Sequence, residues 1–287
     1  MLEAARRART PLREAAPRVA AFLRGELNDD GGGKNRAGRS DIYYTVFVLE
    51  GLLALGVDPA YGAVRRYLAN FADGGGLDLV KTACLVRCWA AMPEGAPAAG
   101  RAEKLLQQIE SHRTPDGGYN SLPGSPHGTA YHALLALGAY QDLGRTPPGA
   151  EGLLGCLQGL RAGDGAYANS AGLAFGTTPA TAAATTLMQE LRVPVEREVV
   201  SWLIARCRSQ GGFLATPASP LPDLLSTATA LHALAGLGVE LGPIREPCLD
   251  FLDSLWTGGG FCGHWADDMA DSEYTFYALL ALGHLST

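Results

Sequence analysis

A stretch near the carboxyl end decides the fold: Gly258-Gly-Gly-Phe261, then Asp271-Ser-Glu-Tyr-Thr275, then an apolar run to Gly283. It is the sixth copy of a pattern in which a Gly-rich turn precedes a threonine near the start of an apolar helical run. These threonines, the repeat threonines, are separated by 37, 47, 52, 46 and 48 residues, and such periods are typical of a repeat architecture. The six repeat threonines are Thr45, Thr82, Thr129, Thr181, Thr227 and Thr275.

The residue four positions before each repeat threonine is of a type that begins helices, because its side-chain oxygen accepts a hydrogen bond from a first-turn N–H group. The predicted N-caps are Asp41, Asp78, Ser125, Thr177, Asp223 and Asp271. Each apolar helix follows an amphipathic one, which predicts six hairpins of one outer and one inner helix. The predicted fold class is therefore all-α, a closed (α/α)6 toroid. Its inner helices would run in one direction, and their N-termini would form an anion-attracting mouth.

Residues 1–11 are basic and indicate a frayed arm, whereas residues 12–287 predict a single toroid domain. The net charge of −6 and the pI near 5.5 disfavour a nucleic-acid partner. The longest apolar runs are too short to span a bilayer, and the first residues lack an apolar signal core. The six cysteines are scattered, as expected for reduced thiols. These features predict a soluble, cytoplasmic protein without a transmembrane segment.

The turns share a Gly-rich and aromatic motif, and an Asp-x-x-x-Thr sequence follows two of them. Together these features resemble the repeat of protein prenyltransferase β subunits and squalene-hopene-type terpene cyclases. The resemblance covers the chain from about residue 12 and implies an isoprenoid-handling enzyme. The turns that carry it are Asp116-Gly-Gly-Tyr119, Asp164-Gly-Ala-Tyr167, Gln210-Gly-Gly-Phe213 and Gly259-Gly-Phe261.

The two families that the repeat resembles have different activities, and the resemblance implies a different set of residues for each. For the zinc-dependent prenyltransferases it implies an Asp and a Cys in one repeat and a His before the repeat threonine of the next. No adjacent pair of repeats supplies that set, so zinc is not expected. For the cyclases it implies Asp-x-Asp-Asp-Thr. Repeat five retains Asp223 from that motif, and repeat six retains Asp271 with Glu273 in the next acidic position. These three acids are the candidate catalytic residues.

Repeat one carries a basic run of Lys34, Arg36 and Arg39 ahead of Asp41 and Tyr44. It resembles the stretch that receives the diphosphate in prenyltransferases, and the Arg fork suits phosphate oxygens. The alternative interpretation is a solvated basic loop.

One repeat further along, Lys81 stands where the zinc-binding His of the prenyltransferases would be. It would neutralise Asp41 in place of a metal. We therefore add Lys81 to the candidate substrate-binding residues.

Repeat six is acidic where repeat one is basic. Asp267, Asp268 and Asp271 have the Asp-Asp-x-x-Asp spacing that is typical of Mg²⁺ sites on a substrate diphosphate, so Mg²⁺ is the candidate cofactor. In a closed ring repeat six abuts repeat one, which would bring these acids to Arg36 and Arg39. The alternative is that the two groups simply form salt bridges.

Inner-helix positions two residues after a repeat threonine are aromatic in three repeats: Phe47, Tyr131 and Tyr277. With Tyr43 and His127 one turn earlier, they would line a central pocket for an isoprenoid chain or a carbocation, whose charge aromatic faces stabilise. The alternative is a core filled by these side chains.

The leading interpretation is an isoprenoid-binding toroid enzyme that takes a prenyl diphosphate or a similar apolar substrate. A second is a non-catalytic toroid that binds a lipid or a protein. A third is a carbohydrate-active (α/α)6 enzyme, which would need two carboxylates facing each other across the mouth, drawn from the candidate catalytic acids. The sequence leaves the substrate and any partner chain open.

Overall fold

The computed structural model describes residues 1–93, 95 and 97–286. Residues 94, 96 and 287, which the predicted toroid domain includes, lie outside the described residues. Two short helices open the chain, and twelve longer ones follow in this part of it, as the six-hairpin pattern predicts. In order the helices are α1 Leu2–Arg6, α2 Arg9–Leu12, α3 Ala16–Gly25, α4 Ile42–Leu55, α5 Tyr61–Ala69, α6 Leu79–Ala90, α7 Ala99–Glu110, α8 Ala130–Asp142, α9 Ala150–Gly159, α10 Thr178–Glu190, α11 Arg197–Ile204, α12 Leu224–Gly236, α13 Gly242–Ser254 and α14 Ser272–Leu285.

Two small antiparallel hairpins accompany the helices. Strands β1 (Gly33–Lys34) and β2 (Ser40–Asp41) pair in the first repeat, with Gly33 opposite Asp41. Strands β3 (Phe213–Leu214) and β4 (Pro222–Asp223) pair in the fifth. Each hairpin leads directly into an apolar helix, so the second strand of each ends on the aspartate that caps that helix.

The chain divides into two compact units. The first contains residues 1–64 and 203–287, and the second contains residues 65–202. In the first unit α14 packs against both α4 and α12. In the second unit α8 packs against both α6 and α10. The prediction that residues 12–287 form one domain stays a prediction.

In the first unit each repeat threonine ties a Gly-rich turn to the helix that follows it. The Thr45 hydroxyl accepts a hydrogen bond from the Gly33 N–H at 2.8 Å and donates to the Asp41 carbonyl at 2.7 Å. Thr227 and Thr275 likewise accept from the backbone N–H of the aromatic turn residues Phe213 and Phe261, at 2.9 and 3.1 Å. These threonines are fully buried, so the contacts satisfy turn donors that water cannot reach.

Five of the six predicted N-caps are confirmed, and Ser125 is wrong. In the third repeat the cap is Thr129, whose hydroxyl accepts from the His132 N–H at 3.0 Å. The Asp116 carboxylate holds the Gly128 N–H, at 3.1 Å from its nearer oxygen. A Cβ on Gly128 would lie 2.7 Å from the Tyr119 backbone nitrogen. This close approach keeps the chain extended past residue 128 and delays the start of the helix.

The first residues are not the frayed arm that their charge suggested. They form α1 and α2, and Ala4, Ala5 and Ala8 are buried. Helix α1 packs against α4 and α14, and the Arg7 Nε donates to the Gly283 carbonyl at 3.0 Å. The prediction failed because three small alanines provide little apolar periodicity, yet the Ala4 backbone fits closely against Gly283. The first long helix accordingly begins at Ala16, not at residue 12.

Helix α7 of the second unit ends at a half-buried carboxylate. Glu110 Oε1 accepts hydrogen bonds from the Tyr119 and Tyr140 hydroxyls at 2.6 and 2.8 Å, and Arg113 Nε donates to Oε2 at 2.8 Å. Burial raises the pKa of Glu110, but the hydrogen bonds from Arg113 and the two tyrosines outweigh it, so the net shift is downward. The charged carboxylate is therefore the stable form at neutral pH.

All six cysteines are free thiols, as predicted. No helix in the described part of the chain combines the length and the apolar character that crossing a bilayer requires.

Candidate functional site

The candidate site lies in the first unit, where α4 and α14 begin side by side. Asp41 caps α4 by accepting from the Tyr43 N–H at 2.9 Å, and Asp271 caps α14 by accepting from the Tyr274 N–H at 2.9 Å. The Ser272 hydroxyl donates to the Tyr44 carbonyl at 3.4 Å and joins the two helix starts. Repeats one and six thus meet here.

Arg36 bridges the two repeats from the loop between β1 and β2. Its Nε donates to Asp271 Oδ2 at 2.8 Å, while Nη1 and Nη2 donate to the two Asp267 oxygens at 3.2 and 2.7 Å. The guanidinium also stands over the Tyr274 ring, 5.4 Å from its centroid. The hydrogen bonds with Asp267 and then Asp271 raise the pKa of Arg36 against the opposing effect of burial. The salt bridges expected as the alternative interpretation are therefore present.

The other charged residues of this predicted cluster lie apart from that contact. The Lys34 Nζ donates to the Gly25 carbonyl at 2.5 Å, at the end of α3. The Arg39 and Asp268 side chains are exposed. Arg39 is held through its backbone N–H, which donates to Asn35 Oδ1 at 3.1 Å.

The carboxylates predicted to bind Mg²⁺ do not fit that ion as they are arranged. Asp267 and Asp271 share the Arg36 guanidinium, and a cation between them would have to displace it. Within the described residues no three His, Cys, Asp or Glu side chains converge on a point that could hold a metal. The Mg²⁺ site stays a prediction, and no chemical step below uses it.

The contacts of Arg36 with Asp267 and Asp271 also affect the prediction that the basic run binds a diphosphate. All three guanidinium nitrogens of Arg36 already donate to carboxylates. These contacts use three of the five N–H donors of the guanidinium, so a diphosphate would compete with Asp267 and Asp271 for Arg36.

Glu273 is the carboxyl group that points away from this ion pair. It lies in the first turn of α14, is half-buried, and accepts a hydrogen bond from the Tyr43 hydroxyl at 2.6 Å. Burial raises its pKa, and the Asp271 charge raises it further, while the Tyr43 hydrogen bond and the Arg36 charge act in the opposite direction. Glu273 therefore keeps its proton to a higher pH than a solvated glutamate does.

Aromatic rings continue from Glu273 along the two helices. The Tyr43 ring meets the Phe47 ring edge to face, with centroids 5.0 Å apart, and the Phe47 and Tyr277 centroids are 5.7 Å apart. Phe47 and Tyr277 each keep 9% of their surface accessible, whereas Phe276 keeps 1%. All three rings are buried, and Phe276 is the most deeply buried of them.

Two members of the site were not among the predicted residues. Tyr274 replaces the third acid of the cyclase motif and supplies the ring under Arg36. Burial raises the pKa of Tyr274 to about 12. Phe276 packs behind Phe47, with centroids 5.9 Å apart. Its position directly after a repeat threonine is the sequence signal that could have identified it.

Asp223 has a different environment from Glu273. Its two carboxylate oxygens accept from the N–H and the hydroxyl of Ser226, both at 2.7 Å. Burial raises the pKa of Asp223, and the Ser226 hydrogen bonds and then the His264 charge oppose that shift. The group is engaged as the N-cap of α12.

The remaining predicted residues lie in the second unit. Lys81 is exposed in the first turn of α6, and Tyr131 is half-buried in the first turn of α8. His127 was predicted to line the pocket from the helix, but α8 begins at Ala130, so His127 falls in the preceding loop. Its side chain is 63% exposed and lies 3.6 Å from Asp116.

The comparisons agree with the fold. Residues 180–286 match the family model of the prenyltransferase alpha-alpha toroid domain. The apo type II terpene cyclase MstE from Scytonema superposes with a TM-score of 0.64 and 13% identity, over 100% of this chain and 98% of that one. An MstE variant bound to its substrate, geranylgeranyl dihydroxybenzoate, superposes with a TM-score of 0.65 and 13% sequence identity, over 97% of both chains. A protein from Actinoplanes superposes with a TM-score of 0.62 and 17% sequence identity, over 96% of this chain and 99% of that one.

No curated protein sequence matches this chain. The fold class is the α/α toroid, as predicted, and the resemblance to the prenyltransferase and terpene-cyclase repeat is confirmed at the level of the fold.

Proposed function

We propose that this protein is an isoprenoid-handling enzyme in which Glu273 donates a proton to an alkene and so starts a cyclisation. The observation that carries the proposal is the environment of Glu273. It is a half-buried carboxyl whose pKa burial raises, and it accepts a hydrogen bond at 2.6 Å from Tyr43, whose ring packs on Phe47.

The proton transfer requires an acid that is neutral at the working pH, because a charged carboxylate has no proton to give. The O–H bond of Glu273 breaks, a C–H bond forms at one alkene carbon, and the positive charge moves to the other. A second alkene of the same chain then attacks that cation and closes a ring. A proton lost from a neighbouring carbon to water ends the sequence, and Glu273 regains a proton from water, so the product is an isomer of the substrate.

The surrounding groups suit the two charges that form. The Tyr43 hydroxyl hydrogen-bonds Glu273 and would stabilise the carboxylate left after transfer, as would the partial positive charge at the N-terminus of α14. The Phe47 and Tyr277 rings, whose centroids are 5.7 Å apart, would stabilise a cation on the hydrocarbon, since aromatic faces attract positive charge.

Protonation of the hydrocarbon fits the charges better than capture of a diphosphate. The guanidinium that would bind phosphate is bonded to two acids, and Asp271 is 3% exposed. The contact between Arg36 and Asp271 keeps a negative charge beside Glu273, and that charge helps Glu273 retain its proton. We assign Arg36 and Asp271 a positioning role on this basis.

The fold supports the same proposal. MstE is a type II terpene cyclase, and its substrate-bound structure superposes on nearly all of this chain. The carbohydrate alternative has less support, because Asp223 and Asp271 both cap helices and Asp271 also binds Arg36.

The test is a turnover assay in D₂O with a linear polyprenyl alcohol and with a polyprenyl arene. We expect a cyclic product with one deuterium on carbon, formed without a diphosphate on the substrate. Release of diphosphate from a prenyl diphosphate, with no deuterium gained on carbon, would contradict the proposal. Binding of the polyprenyl compounds with no product would favour the non-catalytic toroid instead.

A further inference from the structure

Two cysteines of the first unit lie close together although 41 positions separate them in the chain. Cys207 pairs with Phe213 across the Gly-rich turn of repeat five, and Cys248 lies in α13. Their sulfur atoms are 4.0 Å apart. Neither thiol takes part in the proton transfer proposed above.

Backbone packing holds the two cysteines together. Gly211 has a φ of +88°, and a Cβ on it would overlap the carbonyl oxygen of Pro247, so the turn lies directly against the backbone of α13. The turn is closed by the Arg208 N–H, which donates to the Gly212 carbonyl at 2.9 Å. The residues next to this close approach are the two cysteines, so their distance is set by two ordered backbone segments.

The two thiols differ in exposure and in acidity. Cys207 is partly exposed, whereas Cys248 is completely buried. The hydrogen bond between the two sulfurs lowers the pKa of Cys248 against the effect of burial, and the Gly212 N–H lowers it further. The same hydrogen bond, together with burial, raises the pKa of Cys207. The pair therefore ionises at Cys248 and keeps its remaining proton on Cys207.

We propose that Cys207 and Cys248 are a redox pair, which hydrogen peroxide oxidises to a disulfide within the chain. A small oxidant reaches the exposed sulfur of Cys207, whereas the other five cysteines are buried. The sulfurs need to approach each other by about 2 Å, because the bond between them is about 2.05 Å long. Side-chain rotation and a small shift of the turn are enough for that approach.

Oxidation begins at the accessible sulfur. Cys207 Sγ attacks one oxygen of the peroxide and passes its proton to the Cys248 thiolate, while the O–O bond breaks and releases hydroxide. That hydroxide removes the proton from Cys248 and leaves as water. The Cys248 thiolate then attacks the sulfenic acid on Cys207, the S–O bond breaks and a second hydroxide departs. Two electrons pass from the sulfurs to the peroxide, and dithiothreitol would return them.

The disulfide would join the turn of repeat five to α13 and enclose β3, β4 and α12. A covalent link across a segment of this length restricts the unfolded chain and so stabilises the folded one. Oxidation should therefore leave a measurable change in stability as well as a change in mass.

The test uses the full chain, reduced with dithiothreitol, desalted and then treated with hydrogen peroxide. We expect non-reducing peptide mapping to find Cys207 linked to Cys248, and titration of the denatured protein to find two thiols fewer than the six of the reduced chain. The midpoint of thermal unfolding should rise by roughly 5 °C or more. Dithiothreitol should reverse both changes.

Two variants separate this pair from general oxidation. Cys207→Ser should form no link and show no rise in the unfolding midpoint after peroxide treatment. Cys262→Ser is the matched control, because Cys262 is a buried cysteine of the same unit. It should form the link as the wild type does.

Several results would overturn the proposal. They are a wild type that keeps all its thiols, a Cys207 oxidised to the sulfinic acid without a link, or a link between two chains on a non-reducing gel. Loss of the link in Cys262→Ser would also overturn it. These measurements follow thiols and stability and use no isoprenoid, so their failure would leave the proposed function untouched.

Discussion

Glu110 and Glu273 are both half-buried glutamates that accept a hydrogen bond from a tyrosine at 2.6 Å, yet their pKa values shift in opposite directions. Burial raises the pKa of each. At Glu110 the Arg113 ion pair and a second tyrosine, Tyr140, outweigh burial. At Glu273 the nearest arginine is occupied by Asp267 and Asp271, and the Asp271 charge adds to the effect of burial.

The comparison teaches that a tyrosine contact does not decide the charge state of a buried acid. What decides it is whether a cation is free to pair with the carboxylate. Glu110 resembles a structural ion pair, whereas Glu273 has the raised pKa that the proposed proton donor requires.

The largest expected effect is on catalysis. Glu273→Gln should lower turnover of an isoprenoid by at least about a hundredfold, because general acids contribute roughly 10²–10⁴ in rate. The matched variant Glu110→Gln should retain turnover within about twofold when assayed below its unfolding temperature. Mass spectrometry of the product measures both. A loss of activity in both variants would remove the distinction between the two glutamates.

The second effect is on stability. Glu110→Gln should lower the free energy of unfolding by about 2 kcal/mol at pH 7, because it leaves Arg113 without its charged acceptor. Glu273→Gln should leave stability unchanged or raise it, since it removes a carboxylate that burial disfavours. Urea unfolding at neutral pH compares the variants. Equal destabilisation by the two substitutions would contradict this prediction.

The third effect is the pH dependence of those stability differences. The pKa of Glu273 is raised, so its contribution is fully present below the unfolded value of about 4.3 and is lost as pH rises through the folded value. The pKa of Glu110 is lowered, so its contribution is present above the unfolded value and is lost as pH falls through the folded one.

Unfolding measured from pH 3 to pH 8 should therefore show two opposite trends. The free energy of unfolding of Glu273→Gln should increase relative to that of the wild type as pH rises. The free energy by which Glu110→Gln is less stable than the wild type should shrink as pH falls. Parallel curves for the two variants would show that the two carboxyl groups titrate alike.

The smallest effect concerns the tyrosines. The Tyr43 hydrogen bond lowers the pKa of Glu273, so Tyr43→Phe should raise that pKa further. The basic limb of the pH–rate profile should then move to higher pH. Turnover should fall by about tenfold, as expected for one lost hydrogen bond to a charged group. Tyr140→Phe should leave the pH–rate profile unchanged. A pH–rate profile of Tyr43→Phe with lower rates but no shift along the pH axis would limit Tyr43 to a packing role.

The sequence predicted the architecture because turn, cap and apolar run recur together in every repeat. It also predicted that Arg36 would reach Asp267 and Asp271, since a closed ring brings the sixth repeat to the first. It could not predict that the guanidinium would bond to both acids at once, because that depends on where a loop of five residues directs one side chain. The hydrogen bond between Tyr43 and Glu273 depends in the same way on side-chain directions across two helices.

Two other features of the structure had no signal in the sequence that could have predicted them. The third-repeat helix starts late because Gly128 lies against the turn backbone, and only the packed structure reveals that approach. The Glu110 cluster was missed although Glu110, Arg113 and Tyr119 follow one another closely, because nothing in that spacing indicates that the chain folds back to close it.

The packing of α1 on α14 also affects the order in which the chain can fold as it is synthesised. A Cβ on Gly283 would overlap the Ala4 carbonyl oxygen, so the first helix and the last are fitted closely to each other. The second unit is a continuous segment, residues 65–202, and is complete once that segment has emerged from the ribosome. Residues 1–64 must wait for residues 203–287, which are made after the second unit. During that interval the buried faces of α1 and α4 have no partner from α14, so the time spent waiting for the last repeat is the period in which this chain is most exposed to aggregation.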